Sequence, residues 1–79
     1  MLVKILGTGC PNCLKLEKVV REVIADLHLE AIVEKVTKID EIMDYGVMMT
    51  PALVVNEDVV LIGKIPAKKK LEKILTNKL

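Results

Sequence analysis

The chain reads as four short apolar runs and three amphipathic stretches. Leu2 to Leu6 is apolar except at Lys4 and stops at Gly7-Thr8-Gly9, which predicts a strand buried on both faces. Cys13, Leu16, Val20, Val23, Ile24 and Leu27 then recur at helical spacing, with Lys15, Lys18, Arg21, Glu22 and Asp26 on the other side. This predicts an amphipathic helix of about four turns, opened by Pro11 at its first position, where a missing N–H costs nothing. Glu17 and Arg21 are spaced for an i,i+4 ion pair. Ala31 to Val36 is rich in β-branched residues and predicts a second strand, and Glu34 and Lys35 within it suggest a sheet edge. Thr37, with Asp40 three residues on, is expected to cap a short helix that turns Ile39, Ile42 and Met43 inward and stops at Gly46. Val47-Met48-Met49-Thr50-Pro51 is an apolar loop, with Val47 assigned to the core and Met48 and Met49 divided between core and rim. Ala52 to Val55 and Val59 to Ile62 are two more strands, and the short polar turn Asn56-Glu57-Asp58 makes them an antiparallel hairpin. Gly63 ends the hairpin. Pro66 opens a last helix with Leu71, Ile74, Leu75 and Leu79 inward and Lys68, Lys69, Lys70, Lys73 and Lys78 outward.

The element order is therefore β-α-β-α-β-β-α. Its first half requires a parallel crossover and its second half an antiparallel pair. A four-stranded mixed sheet with helices on both faces satisfies both, an α/β fold in a single domain over residues 1–79. Composition narrows the partners. Leu, Ile and Val supply 30 of 79 residues, Phe and Trp are absent and Tyr45 is the lone aromatic, so the core is aliphatic and stacking on exposed bases is disfavoured. Twelve Lys and Arg balance eleven Asp and Glu, which leaves a net charge of +1 and no field to attract nucleic acid or an anionic membrane. No apolar run approaches the roughly 18 residues needed to span a membrane. The first residues read as a strand and not as a secretion leader. A cytoplasmic monomer is expected.

Cys10 and Cys13, spaced Cys-x-x-Cys between a strand and a helix, are the chemical signal. So short a loop makes a poor structural staple, because closing it hardly changes unfolded-state entropy. That leaves redox chemistry, metal binding or coincidence. The position favours redox chemistry. Cys10 falls where the cap of the long helix belongs, so its sulfur can accept from unpaired N–H groups at the positive end of the helix dipole. Both effects favour the thiolate, the attacking form, and are expected to lower its pKa. Cys13 lies one turn further in, beside Leu16 and Val20, and should be shielded. An i,i+3 pair brings the sulfurs within bonding reach. In the resulting exchange Cys10 attacks a substrate disulfide and Cys13 then displaces the substrate from Cys10. The rival reading is copper or zinc binding, but the pair gives two of the four ligands tetrahedral zinc takes, and His28 is at the far end of the helix. Gly7-Thr8-Gly9 lacks the rest of a phosphate-loop pattern and reads as backbone room beside the cysteines. The lysines at 68–70 read as a solvated helix face; as a docking patch they suit an acidic protein partner such as a reductase better than nucleic acid.

Gly7-Thr8-Gly9-Cys10-Pro11-Asn12-Cys13 after the first strand, with Thr50-Pro51 before the third, resembles the thioredoxin superfamily. The resemblance covers essentially the whole chain. It is strongest to the small thioredoxin-like proteins of archaea and bacteria, the redox-active disulfide protein 2 type. It implies a thioredoxin-like fold and a thiol–disulfide oxidoreductase with a redox-active Cys10–Cys13 disulfide and no bound cofactor. By the same resemblance Cys10 is the nucleophile and Cys13 the resolving cysteine. Pro51 matches the family's cis-proline, whose preceding backbone pairs with an extended substrate segment. Substrate contacts are assigned to Thr8, Gly9, Pro11, Met49, Thr50 and Pro51. The implied partners are disulfide-containing proteins and a thioredoxin-reductase-like flavoprotein. Pro-Asn stands where larger members carry Gly-Pro, no Trp precedes Cys10, and Lys4 is the only ionisable residue of the first strand, where thioredoxins place a buried acid. Glutaredoxins carry a second glycine and an acid after the fourth strand; here Gly63 is followed by Lys64-Ile65-Pro66, so no dedicated glutathione site is implied. Copper-chaperone modules resemble the first twenty residues, but their methionine two residues before the first cysteine is Thr8 here, and their element order is β-α-β-β-α-β.

Overall fold

The computed structural model describes residues 1–78. Seven elements follow the expected order: β1 (Leu2–Leu6), α1 (Pro11–Asp26), β2 (Ile32–Val36), α2 (Ile39–Asp44), β3 (Ala52–Val55), β4 (Asp58–Ile62) and α3 (Lys68–Thr76). The strands form one sheet in the order β2-β1-β3-β4. β1 and β2 are parallel, in register from Leu2 opposite Ile32 to Leu6 opposite Val36. A parallel pair needs a long crossover, and α1 supplies it. β3 runs antiparallel to both β1 and β4, with a bulge between Leu53 and Val54. β2 is an edge strand, as Glu34 and Lys35 suggested.

The pleat divides the central strands between two cores. Val3, Ile5, Leu53 and Val55 pack on one face against Leu16, Val20 and Val23 of α1 and Leu71 and Leu75 of α3. Leu6, Ala52 and Val54 pack on the other against Ile42 of α2 and Val47. Helices therefore cover both faces. Lys4 shares the α2 face. Its Nζ donates to Tyr45 Oη at 2.6 Å and to Glu57 Oε1 at 3.2 Å, and sits 5.3 Å from the Tyr45 ring centre. The expected Glu17–Arg21 pair forms at 3.0 Å, and Lys35 on β2 reaches the same carboxylate at 3.2 Å.

Several local expectations are corrected. Thr37 does not cap α2: Lys38 holds that position without a side-chain cap, and the first helical bond runs from Ile42 N–H to the Lys38 carbonyl. Six residues give α2 too narrow an inner stripe for three apolar side chains. Only Ile42 is buried, while Ile39 is 65% and Met43 63% exposed. Met48 and Met49 are both exposed and neither joins the core. Leu27 is the C-cap of α1 and exposed, because the stripe has rotated away from the sheet by the last turn. α3 starts at Lys68, two residues after Pro66: Gly63 N–H bonds to the Pro51 carbonyl at 2.7 Å, and Ala67 accepts the first helical bond from Leu71. Leu71 and Leu75 are buried and Ile74 partly so; Leu79 lies outside the described residues. β2 begins at Ile32 and β4 at Asp58, one residue from the expected starts. The hairpin turn is tighter than expected, because Asn56 and Glu57 both take positive φ (50° and 70°), the mirror-image turn that matches strand twist.

Candidate active site

The C-terminal end of β1, the first turn of α1 and the start of β3 meet at one edge of the sheet. Gly7 leaves β1 with its N–H on the Val36 carbonyl at 2.9 Å, and Gly9 turns the chain with φ of 92°. Few side chains tolerate that conformation. Cys10 caps α1 in extended geometry, its carbonyl accepting from Leu14 N–H at 3.1 Å. Its Sγ accepts the Cys13 N–H at 3.3 Å. Pro11 occupies the first helical position, so one of the unpaired N–H groups is absent by construction.

Cys10 and Cys13 are joined as a disulfide with their Cα atoms 5.1 Å apart. Their exposures differ. Cys10 is half-buried at the helix tip, whereas Cys13 is 5% exposed and lies beneath the loop. Gly7 makes the space for it: a Cβ there would overlap the Cys13 Sγ and come within 3.1 Å of the Cys13 Cβ. The same hypothetical atom lies 4.0 Å from the Thr50 Cβ, which places the Thr50-Pro51 segment across from the cysteines. The Thr50–Pro51 peptide is cis and Pro51 is buried.

An apolar groove of about 310 Å³ opens beside this edge, lined by Thr8, Ile39, Ile42, Met43, Val47, Met48 and Thr50. Of the residues assigned to substrate contact, Thr8 and Thr50 line it. Gly9 and Pro11 are exposed around the helix tip, and Met49 lies elsewhere, its side chain against Gly63. α2 contributes Ile39, Ile42 and Met43 to the groove, which the assigned substrate contacts did not include. The available signal was Ile39 and Met43 at i,i+4 on a helix too short to bury both. Among the described residues no three His, Cys, Asp or Glu side chains gather as metal ligands, and His28 follows the opposite end of α1.

The arrangement pairs an approachable sulfur, held at the positive end of a 16-residue helix, with a shielded sulfur in bonding contact. That asymmetry suits reversible disulfide exchange. Comparison with known proteins agrees. A family model described as thioredoxin domain matches residues 1–76. A thioredoxin of Methanothermobacter thermautotrophicus is 37% identical over 76 residues, covering 96% of this chain and 99% of the relative. Two thioredoxins of Methanocaldococcus jannaschii are 32% and 33% identical, over 95% and 89% of this chain and 86% and 85% of their own lengths. The chain belongs to the thioredoxin family of thiol–disulfide oxidoreductases.

Proposed function

We propose that Cys10 is the attacking and Cys13 the resolving sulfur of a cytoplasmic, monomeric, single-domain thioredoxin that reduces disulfides in proteins. In the reduced protein the Cys10 thiolate attacks one sulfur of a substrate disulfide. A Cys10–substrate bond forms and the other substrate sulfur leaves as a thiolate. Cys13 then loses its proton and attacks Cys10 Sγ, which releases the second substrate thiolate and leaves the Cys10–Cys13 disulfide. Two electrons pass to the substrate. A thioredoxin-reductase-like flavoprotein returns them, with no cofactor bound to this chain.

The difference in burial between the two sulfurs carries the assignment, together with the Cys13 N–H directed at Cys10 Sγ. An attacking group must be reached, and only Cys10 stands at the open tip. Thr8, Gly9 and Pro11 border that tip, and the backbone of Met49-Thr50, just before Pro51, offers its polar groups to an extended substrate strand. An apolar substrate side chain seats in the groove between Thr8, Met43, Val47 and Met48.

Cys13→Ser removes the resolving step alone. It is expected to accumulate a mixed disulfide with a protein substrate, visible as a dithiothreitol-sensitive adduct by non-reducing electrophoresis or intact mass. Cys10→Ser is expected to accumulate none. Equal trapping by both variants would overturn the roles.

A further inference from the structure

Methionine is kept out of the core of this chain, although Leu14, Ile32, Ile39 and Ile62 are exposed as well. The buried core is Leu, Ile, Val, Ala and Cys13, with no methionine among the described residues. Three of the four methionines, Met43, Met48 and Met49, are instead exposed, at 63%, 93% and 63%. Met43 and Met48 line the apolar groove; Met49 lies against Gly63. Met1 is half-buried against the core at the far end of β1. Ile39 shares that groove at 65% exposure, so it is the thioether and not apolar area that sets these methionines apart. A thioether differs in two respects: it is unbranched and adaptable, and peroxide converts it to a sulfoxide.

We propose that Met48, followed by Met43, is a site of reversible sulfoxidation that closes the groove to apolar substrate segments while leaving disulfide exchange intact. The functional half of this proposal rests on the substrate groove described under Proposed function. Hydrogen peroxide is the oxidant. One peroxide oxygen bonds to Sδ, the O–O bond breaks, and the other oxygen leaves as water. The thioether loses two electrons and the peroxide gains them. Exposure sets the order, since Met48 is 93% exposed against 63% for Met43. The product replaces an apolar groove wall with a strongly hydrogen-bonding S=O that must be desolvated before an apolar side chain can seat. A methionine sulfoxide reductase reverses the change.

The disulfide form, in which neither cysteine is a free thiol, is treated with dilute hydrogen peroxide. Oxygen uptake is followed at each methionine by peptide mass spectrometry. The protein is then reduced with dithiothreitol. Its kcat/KM is measured on a peptide disulfide with an apolar residue beside its cysteine and on bis(hydroxyethyl) disulfide. Met48 is expected to oxidise ahead of Met1. Activity on the peptide is expected to fall about fourfold, the equivalent of one methylene withdrawn from an apolar contact. Activity on the small disulfide is expected to hold, and methionine sulfoxide reductase to restore the peptide rate. In a Met43→Leu/Met48→Leu variant, the ratio of treated to untreated rate is expected to stay at one, whatever its starting rate. The proposal is overturned if Met48 oxidises no faster than Met1, if both substrates lose rate equally, or if the double variant loses as much as the parent. An untreated protein with no preference for the peptide would sink the groove reading and this proposal together; a preference that survives sulfoxidation sinks this proposal alone.

Discussion

Cys10 is both a helix cap and the proposed attacking group, so the backbone geometry that starts α1 also presents its sulfur. Gly7 is the matching condition on Cys13. A Gly7→Ala change gains roughly 0.4–1 kcal/mol from a less flexible unfolded chain. Against that, the new Cβ meets a buried, cross-linked sulfur that cannot swing aside, an overlap worth about 1–3 kcal/mol. The overlap wins, and the oxidised variant is expected to unfold at lower denaturant than the parent; an equal or higher midpoint would show that Cys13 can yield. Lys4 is tied first to Tyr45 and then to Glu57, and these hydrogen bonds push its pKa up to about 12. A raised folded-state value means the ammonium stabilises the fold fully below the unfolded lysine value of about 10.4, and that contribution is lost as pH rises through about 12. The gap in Tm between the parent and Lys4→Met is therefore expected to be constant at neutral pH and to narrow through that alkaline window. A gap that does not change with pH would reduce the tie to packing alone.

Among the elements, α2 and the β3–β4 hairpin show how local sequence and surroundings share control. The hairpin turn holds two non-glycine residues at positive φ, and Asn56 is tied down further: its N–H bonds to the Leu2 carbonyl at 2.8 Å and its Oδ1 accepts the Leu2 N–H at 2.9 Å. Asparagine tolerates this conformation and a β-branched residue does not. Asn56→Val is expected to cost about 1–3 kcal/mol by combining left-handed strain with the lost hydrogen bond, read from chemical denaturation. A cost near zero would mean that the turn changes type freely. Glu17 ties α1 to β2. Partial burial would raise its pKa, but hydrogen bonds from Arg21 and Lys35 outweigh that and hold it below the usual carboxylate range. This tie is present above the ordinary glutamate value and fades as pH falls through the lowered one.

At the level of the whole molecule, the two aliphatic layers hold the site edge in place. A chain of 79 residues has a total stability of roughly 4–12 kcal/mol. Leu16 is fully buried one turn after Cys13 and packs with Val3, Ile5, Leu53 and Val55. Leu16→Ala is expected to cost about 2–5 kcal/mol, a large share of that total, and to lower the thermal midpoint of reduced and oxidised protein alike. A loss confined to the reduced form would mean that the disulfide, not the core, carries α1 at this point.

The order of elements, the mixed sheet, both core faces and the cysteine pair at a helix start were legible in the residues. Hydrophobic period, glycine placement and capping chemistry act over a few positions and need no distant partner. The groove was not legible. Ile39 and Met43 obey a helical inward pattern, yet α2 is too short to bury them, and only the packing of Ile42 and Val47 against Leu6 and Val54 decides which apolar side chains are left facing solvent. Nor was the Lys4–Tyr45–Glu57 cluster, whose members are separated by 41 and 53 positions along the chain. Contacts over such separations depend on strand register and on the face a pleat assigns to each residue, and these are settled when the sheet closes.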